Sequence, residues 1–350
     1  MRNRIRRLPR PTGSLLRGVA AMVAMLAVIL LIPAILVNRF EGLGPGVLLP
    51  LQPKEPLEAP ERSLTVRVFL TKQQRIVDLP LEEYVRGVVA AEMPADFELE
   101  ALKAQAIAAR TYLVRRLAAG RFEDMPEGAE GAVVTDTVQH QAFATLPALR
   151  ERWGMFGYAK NLDKLTRAVN ETAGLVLTYD GEPIQATFFS ASNGFTENSE
   201  LYWKEQVPYL RSVASPWDES EAPAYRRDVD FAYAELYRRL GLKDTRKAPD
   251  MKVKKTSESG RILEAVVNGK TFTGRELRER LGLASTDFEW RFEDGNVRFT
   301  TYGSGHGVGM SQWGANGMAK EGKTAEQILL HYYTGVRLET LDRILPNRSA

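Results

Sequence analysis

A proline at position 94 divides the most strongly patterned part of the chain, residues 79–116, into two segments that cannot be one helix. Proline has no amide to donate, and it pushes the residue before it out of the α region. Ahead of it, Pro80 stands where a first helical residue would be, and Tyr84, Val85, Val88 and Val89 form an apolar stripe, which predicts a half-buried helix over 81–91. Behind it, Leu99, Leu102, Ala106, Ala109, Leu113 and Leu117 recur at three- and four-residue steps and predict a longer helix over 98–117. Ala101, Ala104 and Ala108 permit close packing of that helix. Glu92, in the tetrad Ala91-Glu92-Met93-Pro94, then falls on the last turn of the first helix or just beyond it. The negative end of the helix dipole opposes ionisation there and favours a raised pKa. Two readings follow: an acid that merely solvates a helix end, or a proton donor.

A chain of 350 residues, 44% hydrophobic and 26% charged, can bury a substantial core in one large or two modest domains. It has no cysteine, which excludes disulfides, thiolate nucleophiles and cysteine-ligated zinc. Residues 18–37 are almost wholly apolar, long enough to cross a bilayer of roughly 30 Å, and Arg2, Arg4, Arg6, Arg7, Arg10 and Arg17 precede them. With no small-x-small cleavage site after the run, this predicts an uncleaved single-pass anchor, with residues 1–17 a basic tail inside and the bulk of the chain outside. Residues 38–63, rich in proline and glycine, read as an extended spacer. The overall charge of +3 belongs to the tail: without the seven arginines of residues 1–40, 40 basic residues face 44 acidic ones. That balance argues against a nucleic-acid or polyanion binder.

Further along, residues 64–70 and 75–79 read as a strand hairpin, residues 120–138 as loop, residues 162–173 as a helix ending at Gly174, and 175–179 with 183–189 as a second hairpin turning at Asp180-Gly181. Short helices over 231–240 and 274–281 around a strand at 262–267 suggest a smaller accessory subdomain at about 225–285. Lys252-Val253-Lys254-Lys255 reads as a solvated face. The segment Gly303-Ser304-Gly305-His306-Gly307-Val308-Gly309-Met310-Ser311-Gln312-Trp313-Gly314-Ala315 lets backbone approach backbone or ligand closely, but no Gly-Lys-Ser or Gly-Lys-Thr ends it, so it is not a phosphate loop. Helices and strands mix without regular alternation, which predicts an α+β fold with antiparallel strands, its main domain built from both ends of the region 64–338 and followed by a tail over 339–350.

Residues 83–94 and 100–112, together with 303–315 and the stretch Ile328-Leu329-Leu330-His331-Tyr332-Tyr333-Thr334-Gly335-Val336, resemble the two signatures of the stage II sporulation protein D family, over roughly residues 64–338. The resemblance implies a peptidoglycan lytic transglycosylase of sporulation engulfment, with Glu92 as the catalytic acid and Tyr202 and Lys204 in the substrate cleft. His306, Ser311 and Gln312 are further candidates to line that cleft, and Arg110 is a candidate either to orient Glu92 or to hold a substrate carboxylate. For Tyr202, Trp203 and Trp217, filling the core is the competing expectation. Some members of the family place zinc ligands near the segment matching 133–143, but those include cysteines, so His140 reads as an ordinary loop histidine and no metal or cofactor is expected. A single glutamate suits a reaction in which one carboxyl first gives and then takes back a proton. Implied partners are glycan strands, the membrane, an amidase that strips stem peptides and a membrane anchor protein. The competing class is a noncatalytic glycan-binding amidase enhancer or scaffold.

Overall fold

In the computed structural model, residues 64–120 and 122–344 are described. The anchor expected at 18–37 and the spacer at 38–63 lie outside them. Strands β1 (Thr65–Leu70) and β2 (Arg75–Pro80) form the expected antiparallel hairpin, and β3 (Val134–Thr135) joins the far side of β1 in parallel. Helix α1 (Leu81–Glu92) starts directly after Pro80 and stops two residues before Pro94; α2 (Leu99–Ala119) follows and closes on Gly120 in the left-handed conformation. Their apolar stripes meet: Tyr84, Val85, Val88 and Val89 of α1 and Leu102, Ala106, Ala109 and Leu113 of α2 are fully buried, as are Ala101, Ala104 and Ala108. Each large side chain so buried stabilises the fold by about 1.5–3 kcal/mol.

Helix α3 (Leu146–Asn170) covers this pair and is twice as long as expected. Its first half carries Gly154, with φ 62° and ψ −179°, and leaves Met155 and Phe156 82% and 93% exposed. An apolar pair facing water beside a broken turn destroys the helical periodicity that a sequence pattern can show.

The chain then builds β4 (Leu175–Tyr179) with β5 (Glu182–Pro183), β6 (Phe188–Phe189) and the short helices α4 (Ser199–Trp203) and α5 (Asp218–Glu221). A second hydrophobic core follows, centred on Leu236, Val267, Phe272, Leu277, Val297 and Phe299. It holds β7 (Arg226–Ala232), α6 (Tyr233–Leu240), β8 (Met251–Thr256), β9 (Ile262–Val267), β10 (Lys270–Thr273), α7 (Gly274–Leu281), β11 (Phe288–Glu293) and β12 (Asn296–Tyr302), in two antiparallel sheets ordered β10-β9-β8 and β11-β12-β7. This region therefore runs past the boundary expected at 285, because β12 is the central strand of the second sheet. The helix expected from 231 begins instead as strand β7, in which only Phe231 is buried. Lys252, Val253, Lys254 and Lys255 are exposed along β8.

Residues after Tyr302 return to the first core. Strand β13 (Met310–Ser311) pairs in parallel with β6, and helices α8 (Gln312–Lys320) and α9 (Ala325–Tyr332) pack on α2. Strand β14 (Arg337–Thr340) pairs with β4, and α10 (Leu341–Ile344) follows, so residues 339–344, expected as tail, carry structure. The fold is α+β as expected, but two of its pairings, β1 with β3 and β6 with β13, are parallel. The glycine-rich segment is the seam between the two cores. A Cβ on Gly309 (φ +85°) would stand 2.1 Å from the Thr187 carbonyl oxygen, and one on Gly307 (φ +85°) 2.7 Å from the Arg261 guanidinium. Only glycine meets both the backbone angle and the space.

Candidate active site

Glu92 is the last residue of α1, where Met93 leaves the helix with extended backbone. Its carboxylate is mostly buried and has one firm partner, the Ala142 backbone N–H, which donates to Oε1 at 3.0 Å. Burial pushes its pKa up, and the Ala142 N–H and the Gln312 amide pull it part of the way back. The raised pKa expected from the helix dipole is therefore present, with desolvation as its main cause. The Gln312 amide influences the carboxylate, yet its Nε2 lies buried with no partner at hydrogen-bond geometry. Ala142 is a contributor that sequence reasoning misses, since residues 139–143 carry no pattern beyond a zinc-like one. Its neighbour Gln141, 2% exposed, accepts the Tyr84 hydroxyl at 3.1 Å, and its own Nε2 is also unpartnered.

A second group assembles around His306. Its ring packs against Phe189, Tyr202 and Trp203 at centroid distances of 5.6, 5.8 and 5.1 Å. The Val308 N–H donates to Nδ1 at 3.1 Å, which fixes the neutral tautomer with its proton on Nε2. Burial, aided by the positive charge of Arg278, pulls the His306 pKa down to about 3, so it is neutral at any pH near 7. Tyr202 is half-buried, with Arg278 donating to its hydroxyl at 3.1 Å and Arg275 lying over its ring at 5.2 Å. Both arginines belong to α7, so the second core contributes to this group. Lys204 is exposed just past α4, in the left-handed conformation (φ 72°). The ladder of β6 with β13 sets Phe189, in contact with His306, opposite Ser311, the residue before Gln312. Tyr202 and His306 thus belong to one aromatic group with Phe189 and Trp203, and Lys204 follows Trp203 in the chain, exposed to solvent.

Two candidates are occupied elsewhere. Arg110 does not pair with Glu92: it is fully buried, with Nη2 at 2.5 Å and Nε at 3.0 Å from the Glu82 carboxylate and Nη1 donating to the Leu175 carbonyl at 3.1 Å. Each of its three nitrogens is engaged by Glu82 or Leu175, and the side chain is fully buried, away from any substrate. Ser311 is also fully buried. It caps α8 by accepting from the Gly314 N–H at 3.3 Å, and it donates to Asp218, which in turn accepts from Ser192 and Ser215 at 2.8 and 2.6 Å. Burial raises the Asp218 pKa while the three serine hydroxyls lower it, as befits a structural knot. His140 has both ring nitrogens engaged, by Thr135 at 2.8 Å and Asp124 at 3.1 Å. Among the described residues no group of three His, Asp or Glu side chains is arranged to hold a metal ion.

Known proteins resemble this chain along much of its length. A family profile described as Stage II sporulation protein matches residues 70–179. Stage II sporulation protein D of Bacillus subtilis (strain 168) is 46% identical over 282 residues, which cover 81% of this chain and 81% of that protein. Its namesake in Bacillus amyloliquefaciens is 41% identical over 342 residues, 96% of this chain and 98% of that protein. An amidase enhancer of Bacillus subtilis (strain 168) is 28% identical over 307 residues, 73% of this chain but 40% of the enhancer.

Proposed function

The chain belongs to the stage II sporulation protein D family, and from that premise we propose that it is a peptidoglycan lytic transglycosylase in which Glu92 is the acid. The observation that carries the reading is that Glu92 is mostly buried, with its pKa raised by desolvation and its Oε1 held by a backbone N–H. Such a carboxyl keeps a proton at a pH where an exposed glutamate has lost it. In the proposed reaction the Glu92 proton passes to the glycosidic oxygen between N-acetylmuramic acid and N-acetylglucosamine as the C1–O bond breaks. The 6-hydroxyl of the muramoyl residue then attacks C1, its proton returns to Glu92, and a 1,6-anhydro ring closes. The carboxyl ends as it began, so no second carboxylate is needed. Tyr202, Lys204 and the face of His306 would receive the sugar, with peptide-stripped strands of the sporulation septum as substrate and a stem-peptide amidase and a membrane anchor protein as working partners.

The likeness to an amidase enhancer supports a second reading, a noncatalytic glycan-binding protein that assists an amidase. Full-length protein incubated with glycan strands free of stem peptides separates the two. A transglycosylase shortens the strands unaided. An enhancer leaves them intact and instead speeds peptide release when an amidase and intact sacculi are supplied.

The same proposal places residues 1–17 in the cytoplasm and residues from 38 onward outside, tethered through 18–37, on the arginine asymmetry and the apolar run. Protease added to protoplasts should then remove the bulk of the chain. Protection of that bulk would reverse the topology, and a mature protein beginning after residue 37 would remove the anchor.

A further inference from the structure

We propose that Gln312 is a positioning residue for Glu92: its amide N–H closes on the free carboxylate oxygen once the proton has gone to substrate, and holds that oxygen toward the hydroxyl whose proton it must recover. The inference rests on the transglycosylase reading and adds a residue to it. Gln312 is 6% exposed, and its Nε2 has no partner among the described residues. A buried donor left without an acceptor is destabilising, which makes sense if its acceptor appears in another state of the site. That acceptor is at hand, because Ala142 occupies only Oε1 of Glu92.

The backbone around the two residues is clamped, so that a small side-chain movement completes the bond. Trp313 packs edge-on against Phe97 at 4.5 Å, and Asn316 accepts the Glu98 N–H at 2.8 Å, which fastens α8 to the loop that follows Glu92. On the other flank the Trp313 N–H bonds the Ser190 carbonyl at 3.0 Å, and Ser311 caps the helix. Catalytic hydrogen bonds are often long without substrate and tighten when it binds.

The surroundings leave the role open for Gln312. Among the described residues no cation is paired with Glu92. Arg152 of α3 bonds the Ala90 carbonyl at 3.0 Å, at the same helix end but to backbone. Tyr84 of α1 feels the Glu92 charge and, near Tyr112 and Arg116 of α2, is held protonated by burial. After the Ala142 N–H on Oε1, the Gln312 amide is then the side-chain donor that draws the Glu92 pKa down from the value burial alone would set.

The test uses full-length protein in detergent carrying Gln312→Met, which keeps the shape without the donor, and Gln312→Glu, which keeps the shape and adds a second carboxyl. Gln105→Leu is the control, since Gln105 is likewise buried with both amide atoms unpartnered but has no bond to Glu92. Carbon-13 NMR of glutamate-labelled protein, with the Glu92 signal assigned by its loss in Glu92→Gln, reads the titration directly. The pH profile of strand cleavage reads its consequence. Both Gln312 variants should titrate Glu92 at higher pH than wild type, Gln312→Glu further than Gln312→Met, and the alkaline limb of cleavage should follow. Turnover should fall about tenfold or more, with KM little changed, as expected for loss of one hydrogen bond to a charged group. A slower enzyme with an unmoved Glu92 titration, the pattern of Gln105→Leu, would reduce Gln312 to packing and overturn the proposal. Because the NMR arm does not depend on turnover, a wild-type protein that cuts no glycan but shows the shift would sink the activity reading and leave the contact standing.

Discussion

On the transglycosylase reading, Glu92→Gln should lower the rate of glycan cleavage by about 10² to 10⁴, the usual cost of losing a general acid. Glutamine fills the same space at the end of α1, and its amide oxygen can still accept the Ala142 N–H that now meets Oε1 at 3.0 Å. Binding of stripped strands should therefore persist. The fold should become more stable at neutral pH, which separates a catalytic defect from a folding one. Because burial raises the Glu92 pKa in the folded state above the ordinary 4.5, its ionisation opposes folding. That penalty is absent below the ordinary value and grows as pH rises through the raised one. The melting temperature of the variant should accordingly match wild type near pH 4 and exceed it at pH 7. A variant that cuts at the wild-type rate would leave Glu92 a helix-end acid and nothing more.

The largest effect on stability is expected at the other end of the same helix. Glu82 neutralises the fully buried Arg110 and also accepts the Gly174 N–H at 3.2 Å, so one carboxylate joins α1, α2 and the turn before β4. Glu82→Leu strands a guanidinium in the core with a single carbonyl for company, which costs about 3–5 kcal/mol. Chemical denaturation should show a loss of that size, and the double variant Glu82→Leu/Arg110→Met should regain a good part of it. Whatever folds should keep the wild-type pH profile of cleavage, since Arg110 touches Glu82 and not Glu92. A profile shifted in the double variant would return Arg110 to the active site.

What the sequence makes legible is local. Pro80 and Pro94 bracket α1 by simple backbone restriction, and the leucine and alanine steps of α2 announce a buried helix, so the position of Glu92 at a helix end can be read from residue order alone. Elements whose residues mostly face water cannot. β7 buries Phe231 alone, β8 buries Met251 alone, and the first half of α3 turns Met155 and Phe156 outward, so none shows a face. The partners of Glu92 are hidden for a different reason. Ala142 lies 50 positions along the chain, and a backbone N–H carries no sequence signal at all. Ser311 and Gln312 look alike as polar residues in a glycine-rich stretch. Only the packing separates them, one turned into the Asp218 knot and the other with its Nε2 buried and left without a partner among the described residues. Arg110 looks available for Glu92 because helical spacing gives no hint that Glu82, a full α1 length from Glu92, claims it.

If one carboxyl both gives and recovers the proton, the mass of the product ends shows it most directly. Full-length protein acting alone on stem-peptide-free glycan strands should release fragments ending in 1,6-anhydro-muramic acid, each one water lighter than the corresponding reducing end. Reducing ends of full mass would mean that water, activated by a second carboxylate, attacks the sugar, and the single-glutamate mechanism would be wrong.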